Sequence, residues 1–407
     1  MSFPVHGFGT QFVGTPTPGR PEALDRTMWP TRFSWLFESV GLRTLPLIRW
    51  TAVLIATLPP SVDGAVPAQI DRQLDQYVHR KMHEDHLVGL SLAVLRNGQL
   101  ITAKGFGLAN VETGTPATPK TVYKIGSVSK QFIATAIMIL VKDGKVSLSD
   151  RLDRYLEDAP SAWKAITIEQ LLTHTSGLRA STQQPEGDPP GYDPYSEQSN
   201  IDVIRRAYSV PLDFAPGEKW AYSNLGYFVL AQIISQASGI PWSEYIRTKV
   251  FAPVGMTETR VTSTTEIVSN RAGGYEVKNG RLQNAASWIA VRPSGAFLST
   301  VLDMAKWDAA LYADTVLSSA MRDRMWAPAR LKDGSTHPYG FGWAVDQWNG
   351  HTRLHHNGGI AGFRSDLERF VDDKLTVIVM MNTTAVDPEE IALGTVRLYE
   401  PGWTSKQ

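Results

Sequence analysis

The stretch GLSLAVLRNGQLITAKGFG, residues 89–107, decides the fold class. Two apolar runs flank Asn97-Gly98, and this dipeptide is the strongest short signal for the turn of a β-hairpin. Far along the chain, LERFVDDKLTVIVMMN (367–382) predicts a second hairpin that turns at Asp372-Asp373. Because both ends of the chain supply such strands, we expect them to join in one antiparallel sheet.

Helical patterns flank and separate the two hairpins. Apolar residues recur at helical intervals from Val66 towards the first strand, and PEEIALGTVRLYE (388–400) predicts a closing helix. Between the hairpins, we expect helices at 128–142, 167–174, 200–208, 223–238, 241–250 and 301–312. The patterns together predict an α+β fold, in which helices flank a sheet of N- and C-terminal strands and a mostly helical lobe completes the structure.

The domain organisation follows from these elements. We expect a single catalytic domain over residues 66–400, with a sheet lobe at about 66–125 and 290–400 and a helical lobe at about 126–289. Residues 1–65 differ: residues 1–27 are rich in Pro, Gly and Thr, and we expect the whole segment to be a leader that is disordered or removed. Within the leader, two arginines, the apolar run WTAVLIATL and a small-residue exit predict a secretory signal that begins unusually late.

Export to the periplasm or the medium is the expected localisation, and a cytoplasmic enzyme behind a disordered leader is the alternative. The apolar run of the leader is too short to span a membrane, so we expect no integral span in the mature form.

Composition excludes several classes of function. The 407 residues carry 40 Lys+Arg and 40 Asp+Glu, so nothing resembles the basic footprint of a nucleic-acid-binding protein. The chain has no cysteine, which excludes disulfides and thiolate chemistry. Twelve tryptophans and an apolar fraction of 43% are typical of an ordered globular protein, whose oligomeric state the sequence leaves open.

The segment VYKIGSVSKQFIATAIMIL (122–140) places Ser127 and Lys130 three residues apart at the head of an apolar helix. Residues at this spacing share one helix face, so the lysine amine can lie beside the serine hydroxyl. Burial and the helix N-terminus should lower the pKa of Lys130, and a neutral lysine can activate a serine nucleophile. The alternative is a serine N-cap beside a solvated lysine. SAWK gives Ser161 and Lys164 the same spacing, but no apolar helix follows them.

Two further segments add polar groups of the right chemistry. Tyr222 and Asn224 lie just ahead of an apolar helix; a phenol can relay a proton when a nearby cation lowers its pKa, and an amide can contact both substrate and lysine. In RLHHNGGIAGF, Gly358 and Gly359 allow close approach to a strand, and the Gly359 amide could pair with that of Ser127 in an oxyanion hole. His356 could hold a substrate carboxylate or steady the tyrosine. The alternatives are a helix cap and a glycine-rich turn with an incidental histidine.

Five motifs resemble, in order, those of the serine β-lactamase and penicillin-binding-protein-like superfamily across roughly residues 68–395. They are IGSVSKQF, LLTHTSGL, FAPGEKWAYSNLGYFVLAQII, FAPVGMTET and HHNGGIAGF. The chain is most similar to the branch of class C β-lactamases, D-alanyl-D-alanine carboxypeptidases, D-aminopeptidases and related esterases.

The resemblance implies a β-lactamase/transpeptidase-like fold and a cofactor-independent serine hydrolase. Ser127 would be the acylated nucleophile, with Lys130 and Tyr222 as base and proton relay and Asn224 as a contact of substrate and lysine. The amides of Ser127 and Gly359 would form the oxyanion hole.

His356 departs from the family pattern, because dedicated β-lactamases usually carry lysine there, in a Lys-Thr-Gly triplet. The departure favours small-molecule esters or D-amino-acid peptides over β-lactams as substrates. A class C-like β-lactamase is the alternative enzyme, and a non-catalytic peptidoglycan- or peptide-binding relative is the alternative from another class.

Other histidines invite different interpretations that the pattern disfavours. His174 lies at a predicted helix end before a glycine, where packing or capping is expected rather than a Ser-His-Asp triad. The chain has no Gly-x-Ser-x-Gly elbow. His355 and His356 are strand neighbours that should face opposite ways, so we expect no metal site.

Overall fold

The computed structural model describes residues 68–179, 189–287 and 291–403. Strands are numbered in chain order over these residues. They are β1 (Gly89–Arg96), β2 (Gln99–Asn110), β3 (Thr115–Pro116), β4 (Tyr123–Lys124), β5 (Arg260–Val261), β6 (Tyr275–Lys278), β7 (Arg281–Asn284), β8 (Phe297–Ser299), β9 (Ala329–Arg330), β10 (Thr336–His337), β11 (Ala344–Trp348), β12 (His351–Ile360), β13 (Phe363–Phe370) and β14 (Leu375–Met381).

Seven of these strands form an antiparallel sheet in the order β11-β12-β13-β14-β1-β2-β3. The two ends of the chain meet at its centre, where Leu90 of β1 pairs with Met381 of β14 and the register continues to Arg96 and Leu375. The sheet predicted from the two hairpins is therefore confirmed.

Both predicted turns lie where the sequence indicates. Asn97 and Gly98 have positive φ values of 54° and 70°, which is the backbone geometry that a tight β1–β2 connection requires. The β13–β14 connection spans residues 371–374 and includes Asp372-Asp373.

Helices, also numbered in chain order, cover both faces of the sheet. They are α1 (Ala68–Glu84), α2 (Lys130–Lys142), α3 (Ser161–Lys164), α4 (Ile168–Leu172), α5 (Asn200–Arg206), α6 (Asn224–Ser238), α7 (Trp242–Ile246), α8 (Ala252–Val254), α9 (Val301–Ala310), α10 (Ser319–Trp326) and α11 (Pro388–Tyr399). A π-helical segment, Arg247–Phe251, joins α7 to α8.

Two apolar clusters explain why the central strands are apolar throughout. On one face of the sheet, α1 and α11 pack against alternate residues of β1 and β14, such as Leu92 and Val379. On the other face, Ala93 and Ile378 join the larger core around α2 and α6. Because both faces are covered, almost every residue of β1 and β14 is buried.

The six helices predicted between the hairpins correspond to helical segments, with the usual differences of a residue or two at their ends. One difference affects the site: a 3-10 turn, Gly126–Ser129, precedes α2, so Ser127 lies in that turn rather than at the cap of the α-helix. The predicted leader and its signal lie outside the described residues. Among the helices of the described ranges, none has the length and apolar character needed to cross a membrane.

Candidate active site

Ser127 and Lys130 meet at the start of α2. Lys130 is fully buried, and its Nζ lies 3.1 Å from Ser127 Oγ. Ser127 itself is half-buried and lines a cavity of about 700 Å³. Neither the cap of the 3-10 turn nor that of α2 uses a side-chain hydrogen bond, so the alternative of Ser127 as an N-cap does not describe this structure.

The hydrogen bonds of Lys130 orient its amine towards the serine. Nζ donates to Asn224 Oδ1 at 2.8 Å and to the Ser294 carbonyl at 2.9 Å. Both oxygens can only accept, so they take two N–H groups of the lysine in either protonation state. The position of Nζ that faces Ser127 Oγ then holds the lone pair of a neutral amine or the third proton of an ammonium.

Ser161 and Lys164, which repeat the spacing, lie in the short surface helix α3 and have exposed side chains. The four-residue pattern therefore occurs twice, and only the copy at α2 is buried against a second polar segment.

Tyr222 and Asn224 reach the site from the segment that leads into α6. Asn224 is the first residue of α6, and Tyr222 lines the same cavity as Ser127. Lys130 Nζ also lies 4.7 Å from the centroid of the Tyr222 ring. The structure therefore brings the pair Ser127 and Lys130 together with the pair Tyr222 and Asn224, which follows almost a hundred residues later in the sequence.

The electrostatics of Tyr222 differ from the sequence-based expectation. Burial raises the pKa of the phenol above its ordinary value, and the nearby Ser127 side chain and the charge of Arg292 offset this only in part. The predicted lowering of its pKa by a nearby cation is thus corrected: desolvation outweighs the cation. A neutral Tyr222 hydroxyl donates a hydrogen bond and can pass on a proton, but it does not start as a phenolate.

Close backbone contact places two amides beside the serine. A Cβ atom built on Gly126 would lie 2.7 Å from the Gly359 nitrogen, and one built on Gly358 would lie 3.0 Å from the Ser127 nitrogen. Larger residues would push β12 away from the turn that carries Ser127. Gly358, Gly359 and Ser127 all line the same cavity, as the sequence predicts.

His356 does not have the environment that we expected. It is 5% exposed; its Nδ1 donates to the Asn357 carbonyl at 2.6 Å, so Nε2 accepts from the Tyr339 hydroxyl at 2.8 Å. Burial and the charge of Lys130 lower the pKa of His356 to about 3. The imidazole is therefore neutral, both of its nitrogens have hydrogen-bond partners, and it is not among the residues that line the cavity. It has no charge to offer a substrate carboxylate. The centroid of its ring lies 6.2 Å from that of Tyr222, and Tyr339, its hydrogen-bond partner, packs edge-on against Tyr222. His356 therefore supports Tyr222 through Tyr339.

His174 packs behind the site, as expected for a residue of LLTHTSGL. It is buried, its Nδ1 accepts a hydrogen bond from the Ser223 amide at 3.1 Å, and its ring centroid lies 4.3 Å from that of Tyr222. Burial and the charge of Lys130 hold the pKa of His174 well below its usual value. The imidazole therefore helps to position the tyrosine segment as a neutral ring.

Sequence reasoning missed several residues of the site. Trp220, Arg364 and Asp387 also line the cavity, and the carbonyl of Ser294 binds Lys130. Arg364 directly follows the HHNGGIAGF motif, and this adjacency could have indicated from the sequence that it lies near the site. Every residue has a backbone carbonyl, so no residue type in the sequence could have indicated that the carbonyl of Ser294 binds Lys130.

A separate polar cluster lies on the face of the sheet that α11 covers. His355, Glu368 and Glu389 are the group of described residues whose ligand atoms are close enough to hold a metal ion. Arg353 Nη1 already donates to Glu389 at 2.6 Å and lies 3.3 Å from Glu368. An ion-pair network accounts for these side chains, and His355 and His356 do face opposite sides of β12.

Comparison with known proteins identifies the family to which this chain is similar. The model of the family described as Beta-lactamase matches residues 74–399. A penicillin-binding protein of Bacillus subtilis (strain 168) is 30% identical over 332 residues, which cover 75% of this chain and 71% of the relative. A D-aminopeptidase of Gluconobacter oxydans (strain 621H) is 28% identical over 304 residues, or 72% of this chain and 55% of the relative.

An esterase, EstB of Burkholderia gladioli, is 32% identical over 214 residues, which cover 49% of this chain and 54% of that protein. The chain thus spans only a little over half the length of the D-aminopeptidase and the esterase. Among solved structures, the octameric penicillin-binding protein homologue from Pyrococcus abyssi aligns with a TM-score of 0.71 at 26% identity over 81% of this chain and 77% of its own. The fold is therefore the one that the motifs imply.

Proposed function

This chain belongs to the beta-lactamase family of serine hydrolases, and from that premise we propose that it cleaves carboxylic esters or D-amino-acid amides through an acyl-enzyme on Ser127. The observation that carries the proposal is the hydrogen bonding of Lys130. Its Nζ is held by two acceptors and presents its third position to Ser127 Oγ at 3.1 Å. A serine hydroxyl facing such an amine is the arrangement that activates a poor nucleophile.

In the first half-reaction, Ser127 Oγ attacks the acyl carbonyl carbon while its proton passes to the neutral amine of Lys130. The carbonyl oxygen becomes an oxyanion, which accepts hydrogen bonds from the amides of Ser127 and Gly359. Two amides already fixed by the turn before α2 and by β12 stabilise that charge without reorganisation.

Collapse of the tetrahedral intermediate breaks the bond to the leaving group and leaves an ester on Ser127. The leaving oxygen or nitrogen takes the proton of the neutral Tyr222 hydroxyl, and the ammonium that Lys130 became in the first step returns a proton to Tyr222. Water then attacks the acyl-enzyme with the same groups in reverse order and releases the acid. Asn224 holds Lys130 in place and presents its amide to the substrate.

His356 supports the choice of substrate class. A neutral imidazole bonded to Tyr339 stands where dedicated β-lactamases usually carry a lysine, so position 356 offers no cation to the carboxylate of a β-lactam. Relatives named as an esterase and a D-aminopeptidase are in keeping with the proposed chemistry. The β-lactamase activity remains the second candidate because of the family itself.

One panel of substrates tests the proposal. Purified protein is assayed with p-nitrophenyl butyrate, D-alanine p-nitroanilide and nitrocefin, beside the variants Ser127→Ala and Ser161→Ala. We expect a burst of p-nitrophenol or p-nitroaniline from the wild type and from Ser161→Ala, and none from Ser127→Ala.

Contrary results have defined meanings. Turnover of nitrocefin alone favours a β-lactamase. Equal binding of D-peptides by wild type and Ser127→Ala, with no turnover of any substrate, favours the non-catalytic binding relative.

We also propose that the protein works outside the cytoplasm, on the basis of the basic flank, apolar run and small-residue exit in its first 65 residues. N-terminal sequencing of the protein from its native host tests this, since a processed end between residues 58 and 68 is expected and an intact leader contradicts it.

A further inference from the structure

A buried serine of β13 reaches across the neighbouring strand β12 to the turn that carries Ser127. Ser365 is buried, and its Oγ donates a hydrogen bond to the Ile125 carbonyl at 2.8 Å. Ile125 directly precedes the 3-10 turn Gly126–Ser129. Ser365 is not among the residues that line the catalytic cavity, so its hydroxyl acts on the turn and not on a substrate.

A glycine leaves the path of this hydrogen bond open. Gly358 is the partner of Ser365 in the register of β12 and β13. A Cβ atom built on Gly358 would lie 2.1 Å from the Ile125 oxygen and 2.6 Å from Ser365 Oγ. Both distances are far shorter than a van der Waals contact, so a side chain at this position would separate the donor from the acceptor. The hydroxyl therefore reaches the turn because position 358 has no side chain.

The position of the turn against β12 also decides where the two amides of the proposed oxyanion hole lie. One amide belongs to Ser127 in the turn and the other to Gly359 in β12. A Cβ atom built on Gly358 would lie 3.0 Å from the Ser127 nitrogen, and one built on Gly126 would lie 2.7 Å from the Gly359 nitrogen. Among the described residues, no other hydrogen bond joins residues 125–129 to β12 or β13. The separation of the two amides therefore depends on this one hydroxyl and on close packing.

Another strand, β8, holds the turn independently of β12. The Ile125 amide donates to the Phe297 carbonyl at 3.0 Å, and the Phe297 amide donates to Ser129 Oγ at 3.2 Å. These bonds set the position of the turn relative to β8. The restraint relative to the strand that carries the second amide comes from Ser365.

We propose that Ser365 is a positioning residue of the oxyanion hole, whose hydrogen bond to Ile125 fixes the separation of the Ser127 and Gly359 amides. This inference rests on the proposed function, because it concerns the charge that forms on the acyl carbonyl oxygen when Ser127 attacks. Preorganised donors stabilise such a charge without rearrangement, and a misplacement of about 1 Å can cost about 10²-fold in rate. A turn without this restraint keeps both amides but no longer holds them at one distance.

Removal of the hydroxyl should affect the oxyanion hole more than the fold. In Ser365→Ala, the Ile125 carbonyl keeps the Val128 amide as a donor, at 3.3 Å. We therefore expect a folded variant whose kcat/KM for p-nitrophenyl butyrate falls by about tenfold. This loss is smaller than the roughly 10²–10³-fold loss that follows removal of a whole donor from such a hole.

A thionoester distinguishes a defect of the oxyanion hole from a general loss of activity. Sulfur in place of the carbonyl oxygen of p-nitrophenyl butyrate keeps the leaving group, but sulfur is a weak hydrogen-bond acceptor. The wild type should prefer the oxygen ester, and the ratio of the two kcat/KM values measures what the amides contribute. We expect this ratio to fall by about tenfold in Ser365→Ala, because the oxygen ester loses stabilisation that the sulfur ester does not have.

Two further variants make the test specific. Ser91→Ala is the matched control, because Ser91 is a buried serine of β1 whose Oγ donates to the Thr118 carbonyl at 2.7 Å. It should leave the ratio unchanged. Ser365→Cys keeps the shape of the side chain but offers only a weak donor, so it should lower the ratio as alanine does. The cysteine variant decides the outcome if thermal melting shows that Ser365→Ala does not fold.

The failures are distinguishable. If the folded Ser365 variants keep the wild-type ratio, whether or not their rates fall, the inference is overturned. A wild-type ratio near one, or an equal fall of the ratio in Ser91→Ala, overturns it as well. In each of these cases, ester hydrolysis that is lost in Ser127→Ala leaves the proposed function standing. If the wild type turns over no ester or amide, the proposed function itself fails.

Discussion

Replacement of Lys130 by methionine should nearly abolish hydrolysis while keeping the fold. The amine is the group within 3.1 Å of Ser127 Oγ that can accept its proton, and general-base catalysis contributes roughly 10²–10⁴-fold. We therefore expect kcat/KM to fall by about 10³-fold, or about 4 kcal/mol of transition-state stabilisation. Methionine fills similar volume, but the Ser294 carbonyl loses its described donor, which costs about 1–3 kcal/mol of unfolding free energy.

The measurement combines p-nitrophenyl butyrate kinetics with urea unfolding of the same preparations. Lys164→Met is the control because it removes the exposed lysine with the same spacing, and it should leave both quantities unchanged. Lys130→Arg separates charge from basicity: a guanidinium keeps the positive charge but does not give up its proton, so it should be as inactive as methionine.

Two results would refute this reasoning. A folded Lys130→Met variant with kcat/KM within about fivefold of the wild type would show that the lysine is not the base, given the contribution expected of one. Substantial activity in Lys130→Arg would show that Lys130 acts through its charge alone.

Three further perturbations test other parts of the site. Tyr222→Phe should lower kcat on an amide by about 10²-fold or more and less on p-nitrophenyl esters, whose leaving group needs no proton. Arg364→Met should weaken substrates with a carboxylate on the leaving side by about tenfold in kcat/KM, because the guanidinium lines the cavity and forms no ion pair with any described carboxylate. Asp366→Asn should change how stability depends on pH. Burial raises the pKa of Asp366 to about 8, and Glu368 lies beside it, so the folded state keeps a proton that the unfolded chain gives up. Wild-type stability should therefore fall between about pH 4 and pH 8, and the slope should decrease in the variant.

Controls accompany these variants. For Tyr222→Phe, equal losses on amide and ester would contradict a role in leaving-group protonation. For Arg364→Met, the neutral methyl ester of each substrate serves as the reference, and a uniform loss would point to a structural effect. For Asp366→Asn, urea unfolding at pH 5 and pH 8 is compared, and an unchanged slope would show that the carboxyl does not hold its proton.

Local patterns predicted much of the fold because they act at short range. Asn97-Gly98 specifies its own turn, since both residues adopt positive φ with little strain. The apolar runs of β1 and β14 mark strands covered on both faces, although nothing within either run says which strand it pairs with. Membership of one sheet was inferred because both ends of the chain supply hairpins of this kind.

The candidate site was predictable to a similar extent. Ser127 and Lys130 were found because three residues along a helix bring two side chains together, and Tyr222 and Asn224 because they precede an apolar helix. For His356 the sequence left two roles open, and the buried hydrogen bond to Tyr339 favours support of the tyrosine over contact with substrate. The pKa of Tyr222 was misjudged, because desolvation is a property of everything packed around a hydroxyl.

The sequence by itself determined the secondary structure and the family and predicted the nucleophile, because each is encoded in residues a few positions apart. The tertiary structure alone decided which polar groups are saturated and which remain available. Lys130 faces Ser127 because Asn224 and a carbonyl at position 294 occupy its other donors, and these partners come from distant parts of the chain. Hydrogen bonding and burial are pairwise and collective quantities, so they exist only once the segments have packed.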